Sequence, residues 1–128
     1  MSDGPLIQHF SLSAGDAAEI NFDVDPDSGV SLLGATPYWL AYEQDNGVPD
    51  IDAGPVLKKV LDNGLQITDP DLLQFQVILD FDDTKDLLGN YYHEAFVIDA
   101  DDRHVTTTVG IMTIKQTATR DFTVEELP

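Results

Sequence analysis

Two groups of carboxylates and three histidines are the residues of this chain whose types and spacing could do chemistry. Asp23, Asp25 and Asp27 stand at alternate positions ahead of Ser28-Gly29. The start of an EF-hand loop offers oxygen ligands to calcium with that spacing. Such a loop also needs a glycine sixth and an acidic residue twelfth, and here Ser28 and Gly34 occupy those places. Asp99, Asp101 and Asp102 gather in a second turn and could attract the same ion, although turn carboxylates are ordinarily solvated and serve to bend the backbone. His9, His93 and His104 lie far apart with no His-x-x-x-His pair, so a shared metal is not expected. There is no cysteine and no Gly-x-Ser-x-Gly elbow to supply a nucleophile. Glycosidase chemistry needs two carboxylates across a cleft, and a fold this small offers no obvious one. The expectation is therefore a protein without catalytic residues and without a cofactor; calcium is the ion that the turn acids leave open, with solvated acids the preferred reading.

Charge narrows the partners. Six basic residues against 24 acidic ones give a net charge of −18. A field of that sign repels phosphate backbones and anionic lipid, so neither nucleic acid nor membrane is expected as a partner. The hydrophobic fraction of 42% is too high for a disordered chain. Adaptation to high salt would explain the acidity, and so would a habit of building turns from Asp. The N-terminus carries no basic stretch followed by an apolar one, and no apolar run approaches a membrane span. A soluble protein made in cytoplasm, or in a particle assembled there, is expected.

The elements that must position these residues are strands. Leu6 to Leu12 is a first extended segment, and Ala18 to Val24 alternates with Ile20, Phe22 and Val24 on one face. Pro37 to Tyr42 is rich in aromatics and holds the single Trp, Trp39. Gln44 to Pro55 reads as a polar loop, Val56 to Leu61 as a short strand, and Asp62-Asn63-Gly64 as a turn into Leu65 to Thr68. Phe75, Val77, Leu79 and Phe81 alternate with Gln74, Gln76, Ile78 and Asp80. Asp82 to Leu88 could make one helical turn that Gly89 stops. Tyr91 to Ile98 and His104 to Lys115 flank Asp99 to Arg103 as a hairpin. Seven to eight short strands with regular turns predict an all-β, immunoglobulin-like sandwich with Greek-key connections. Residues 1–115 form that domain, and 116–128, where alternation is lost, form a C-terminal extension.

The order of these features resembles a known family. Gly15-Asp16, an alternating strand, Leu32-Leu33-Gly34-Ala35-Thr36 leading to Trp39, Ile67-Thr68-Asp69, Gly89-Asn90-Tyr91-Tyr92, Asp99-Ala100-Asp101-Asp102-Arg103 and Gly110 follow one another along the chain. Together they are similar to small Ig-like virion proteins of tailed phages and prophages, of which the baseplate upper protein N-terminal domain is one. The chain departs from that pattern at Ala17, where the family has Thr, at Asp102, where it has Gly, and at His93, which is often aromatic there. The resemblance implies a non-enzymatic structural component of a tailed-virus particle, in the tail, baseplate or another appendage. Its partners would be other virion proteins or copies of itself, and it would be located in the virion after assembly in the host cytoplasm.

Face assignment supplies the residues that would make such contacts. Gly89-x-Tyr91 after a helical turn has the form of a tyrosine corner, a structural device, and Trp39 is expected in the core. Along Tyr91 to Ile98 the inward set is Tyr91, His93, Ala95 and Val97, with His93 a buried, hydrogen-bonded imidazole. The reverse row carries Tyr92, Phe96 and Ile98 around Glu94; Ile78 and Ile111 likewise oppose core-facing neighbours. A free monomer seldom displays several large apolar residues on one sheet face. Ile78, Tyr92, Phe96, Ile98 and Ile111 are therefore the expected protein interface. The competing expectation is a carbohydrate- or receptor-binding module, for which Tyr38, Tyr42 and Tyr92 would form an aromatic shelf.

Overall fold

The computed structural model describes residues 5–24, 34–69 and 74–116. Its strands are β1 (Leu6–Ile7), β2 (Phe10–Ser13), β3 (Ala18–Asp23), β4 (Thr36–Tyr42), β5 (Gln44–Asp45), β6 (Val48–Pro49), β7 (Leu57–Leu61), β8 (Gly64–Asp69), β9 (Gln74–Leu79), β10 (Gly89–Ile98) and β11 (His104–Lys115), with a short helix α1 (Phe81–Thr84) between β9 and β10. Eight of these strands have four or more residues, the number that the alternation predicts.

The strand order is β11-β10-β4-β7 continuing into β8-β9-β3, with β1 and β2 both parallel to β11. The continuous ribbon folds over at the corner between β7 and β8. There, Val60 faces Gly64 in parallel, and Asp62 and Gly64 both take positive φ, 65° and 90°. Two layers result: β1/β2, β11, β10, β4 and β7 on one side, β8, β9 and β3 on the other. The chain changes layer from β2 to β3, from β3 to β4, at the β7–β8 corner and from β9 to β10, which is the Greek-key logic of an immunoglobulin-like sandwich. The all-β, Ig-like fold read from the sequence is the observed one.

Between the layers lies the core that the alternation marks. Phe22 from β3, Phe75, Val77 and Leu79 from β9, Leu65 from β8, Trp39 and Ala41 from β4, Tyr91, Ala95 and Val97 from β10, and Met112 and Ile114 from β11 are all buried. Phe22 stacks on Phe75 at 5.4 Å between ring centroids. Burying an aromatic or aliphatic side chain of this size contributes about 1.5–3 kcal/mol, so this row of contacts dominates stability.

Three local expectations change. Leu6 to Leu12 is not one strand, because it is interrupted at Gln8-His9. Phe81 does not continue the β9 alternation. The strand ends at Leu79, Asp80 becomes the N-cap, and its backbone N–H donates to Asp83 Oδ2 at 2.7 Å. Phe81 is consequently 42% exposed, its ring lying over Gly15. Within Gln44 to Pro55 a two-residue hairpin forms instead of an open loop: Asn46 and Gly47 have φ of 53° and 84°, the paired positive values that Asn-Gly supplies to a tight hairpin turn.

Candidate functional site: the outer face of the β4-β10-β11 sheet

Two opposite surfaces of β10 do different work, and the inner one explains how the outer one is held. Tyr91 is buried, and its hydroxyl donates to the Leu88 carbonyl at 3.1 Å while accepting the Leu88 N–H at 3.2 Å. This is the tyrosine corner expected from Gly89-x-Tyr91, and it pins the crossing from β9 to β10.

His93 is fully buried, as the alternation implies. The indole Nε1–H of Trp39 donates to His93 Nδ1 at 3.2 Å, and His93 Nε2–H donates to the carbonyl of Gln8 at 2.6 Å. Indole is a donor only and a carbonyl an acceptor only, so the neutral Nε2–H tautomer is the one that satisfies both. Burial pushes the imidazole pKa down to about 4; the bond to Gln8 opposes that shift, and the nearby His9 adds to it. Phe10 packs edge-on at 4.8 Å and Phe22 lies 6.0 Å away, which keeps water out. The Gln8 carbonyl reaches His93 only because residue 110 is glycine. A Cβ there would lie 2.0 Å from Gln8 O and 2.9 Å from His93 Nε2. The break between β1 and β2 is thus where the chain turns a carbonyl into the core. Sequence reasoning anticipated a bonded His93 but not this partner; its one local signal was a glycine inside a β-branched strand.

The outer surface follows from the same register. Tyr92 pairs with Tyr42 on β4 and Ile111 on β11, Phe96 with Tyr38 and Thr106, and Ile98 with Thr36 and His104. Tyr38 stands beside Val60 of β7, and Leu40 beside Lys58. Tyr38, Leu40, Tyr42, Tyr92, Phe96, Ile98 and Ile111 therefore share one sheet face, and all are half-buried. A row of rings crosses three strands: Tyr38 and Phe96 stack with centroids 4.9 Å apart and planes 13° apart, and His104 lies 4.3 Å from Phe96. At the other end, Tyr92 OH donates to Glu94 Oε1 at 3.0 Å. Partial burial first, and then Glu94, push this phenol up to about 12. Beside Tyr92 and Ile111, a hollow of about 250 Å³ is lined by Ile7, Gly47 and Val109. Ile7 is 72% exposed.

Ile78 does not belong to this face. It points outward as expected but from β9, opposite Glu19 on β3, so it lies on the other layer and the other side of the molecule. Its neighbours there are polar: Gln66 donates to Gln76, and Gln76 donates in turn to Asn21. Face assignment is local to each strand, whereas membership of a layer depends on pairing. The candidate surface thus keeps Tyr92, Phe96, Ile98 and Ile111, loses Ile78, and gains Tyr38, Leu40 and Tyr42.

No family model and no curated protein matches the chain. Among solved structures it is similar to the fibronectin(III)-like modules of Clostridium thermocellum CbhA, at 11% identity and a TM-score of 0.44, over 91% of this chain and 93% of that one.

The carboxylates singled out for calcium are arranged differently. Asp99 Oδ1 accepts the backbone N–H groups of Asp101 (2.9 Å) and Arg103 (3.0 Å), and Oδ2 accepts Arg103 Nε (2.8 Å). The Arg103 N–H, its guanidinium and the Asp101 N–H hold the Asp99 carboxyl below the usual carboxylate range, against the opposing cost of burial. Arg103 already neutralises this charge, and the carboxylate serves to shape the turn. Of the Asp23 to Gly34 stretch, residues 25–33 lie outside the described ones, as do 117–128 of the C-terminal extension. Among the described residues, no group of three His, Asp or Glu side chains is placed to hold a metal.

Proposed function

We propose that this chain is a non-enzymatic interaction module, a structural component of a tailed-virus particle that is incorporated by burying the outer face of its β4-β10-β11 sheet against a neighbouring protein. The single observation that carries the reading is the row Tyr38-Phe96-His104, set among Leu40, Tyr42, Tyr92, Ile98 and Ile111 on one half-exposed surface. A continuous apolar face of this kind is what protein contacts use, and aromatic anchors carry most of their energy. The sequence resemblance supports the viral setting.

The stacking also bears on carbohydrate binding. A sugar docks on a free ring face, but Tyr38 and Phe96 each turn one face to the other, and His104 takes up more of Phe96. That favours a protein partner, which packs against ring edges as readily as faces.

The test is incorporation. Phe96→Asp and Tyr38→Ser should each fold, judged by circular dichroism and Trp39 fluorescence, yet fall out of purified particles at least tenfold. Ile78→Asp, on the opposite layer, should incorporate normally. If the two face variants enter particles as efficiently as the parent chain, the reading is wrong.

A further inference from the structure

The outer face is poor in acid although the chain as a whole is strongly acidic. The chain has 24 Asp and Glu residues. Among the described residues, Glu94 is the one carboxylate on the outward rows of β4, β10, β11 and β7, and its Oε1 already accepts the Tyr92 hydroxyl. Lys58, beside Leu40, is a cation on the same surface.

Around the face the pattern reverses. At the Tyr42/Tyr92 end, the residue before the β5–β6 hairpin, the hairpin itself and the segment after it supply Glu43, Asp45, Asp50 and Asp52, all exposed. At the Ile98/His104 end, Asp101 and Asp102 are exposed at the hairpin tip. At the β7 corner stands Asp62, also exposed. Arg103 at the tip is already paired with Asp99 at 2.7 Å. Asp62 follows Val60, the partner of Tyr38, and so falls at the Ile98/His104 end as well, leaving an apolar centre bordered by carboxylates at both ends of the sheet.

From this arrangement we infer that the partner seated on the face is a different protein whose own apolar patch is rimmed by Lys and Arg, not a second copy of this chain. The inference rests on the docking face proposed above and adds the character of its occupant. A two-fold contact between identical faces would set the rim of Glu43, Asp45, Asp50 and Asp52 against carboxylates of the same kind, on molecules that each carry −18. Like charges across an interface disfavour that pairing, and a basic rim converts the same carboxylates into steering groups. Apolar contact then supplies affinity, and the charged border supplies selection between partners.

Two measurements test it. Sedimentation equilibrium of the intact chain from low to high salt should return the mass of one chain throughout. A two-chain mass that Phe96→Asp abolishes would overturn the inference while leaving the docking face standing. As probes of partner character, two 12-residue peptides are compared by amide chemical shifts, one alternating Val with Lys and one alternating Val with Glu. The Lys peptide should bind at Tyr38, Leu40 and Phe96 and lose about tenfold in affinity between low salt and an ionic strength that shortens the screening length below the rim spacing. The Glu peptide should bind at least tenfold more weakly. Replacing Asp45, Asp50 and Asp101 together by Asn, which leaves the core untouched, should remove most of that difference. Equal binding of both peptides at the face would overturn the basic-partner assignment alone. Lys-peptide shifts confined to acidic loops, with Tyr38 and Phe96 unmoved, would overturn both it and the docking face.

Discussion

Trp39 and His93, 54 residues apart in the chain, share a buried hydrogen bond of 3.2 Å between the indole Nε1–H and imidazole Nδ1. The acceptor must be unprotonated, because a proton on Nδ1 would set two donors face to face. The imidazole is thereby tied at one nitrogen to β4 and at the other to the link between β1 and β2.

Acid should loosen the domain through His93. Its folded pKa, about 4, lies below its ordinary value of 6.5. The unfolded chain therefore takes up a proton near pH 6.5 while the folded one does not. Stability is full above that pH and falls as pH drops towards 4, by about 3 kcal/mol in all. Urea titrations at pH 7.5 and 4.5 should show a loss at least 2 kcal/mol larger for the parent chain than for His93→Gln, which keeps a donor and an acceptor without a titrating proton. Equal losses would remove His93 as the cause.

Gly110→Ala should be among the most damaging single changes. The new methyl would meet the Gln8 carbonyl at 2.0 Å, so the β1–β2 link must move away and the His93–Gln8 bond must break. A cost of about 3 kcal/mol is expected from the clash together with the unsatisfied imidazole. Hydrogen exchange locates the damage: the Gln8 amide, which donates to Val109 O at 2.9 Å, should lose protection. An unchanged Gln8 amide would contradict this account.

Tyr91→Phe removes a hydroxyl that donates to Leu88 O and accepts Leu88 N–H. The ring still packs, so the loss should be about 1–2 kcal/mol, with the fold retained. A thermal melt that coincides with that of the parent chain would show the corner to be dispensable.

Tyr92 should ionise late, well above the ordinary phenol range. Burial and Glu94 raise its pKa to about 12 from 10.0. A raised acid pKa means that the unfolded chain releases the proton first, so stability declines as pH climbs from 10 to 12. Glu94→Gln should bring the late step in the phenolate absorbance back towards 10, and its persistence would show that Glu94 contributes nothing.

What the sequence determined by itself is everything that a two-residue period and local turn chemistry encode. Alternation is a property of one strand, so Phe22, Phe75, Val77, Leu79, Tyr91, His93 and Val97 could be assigned inward before any partner was known. Asp62-Asn63-Gly64 and Gly89-x-Tyr91 work through their own dihedrals and hydrogen bonds within a few residues, and they are legible for the same reason. Tertiary structure alone decided which strands lie side by side. Pairing is non-local, and period two is the same in every strand of either layer. Ile78 and Phe96 have equivalent local patterns yet fall on opposite sides of the molecule. Tyr38 joins Phe96 only because β4 happens to flank β10. Likewise, the purpose of Gly110 becomes visible only when a carbonyl 102 positions away, that of Gln8, is packed against it.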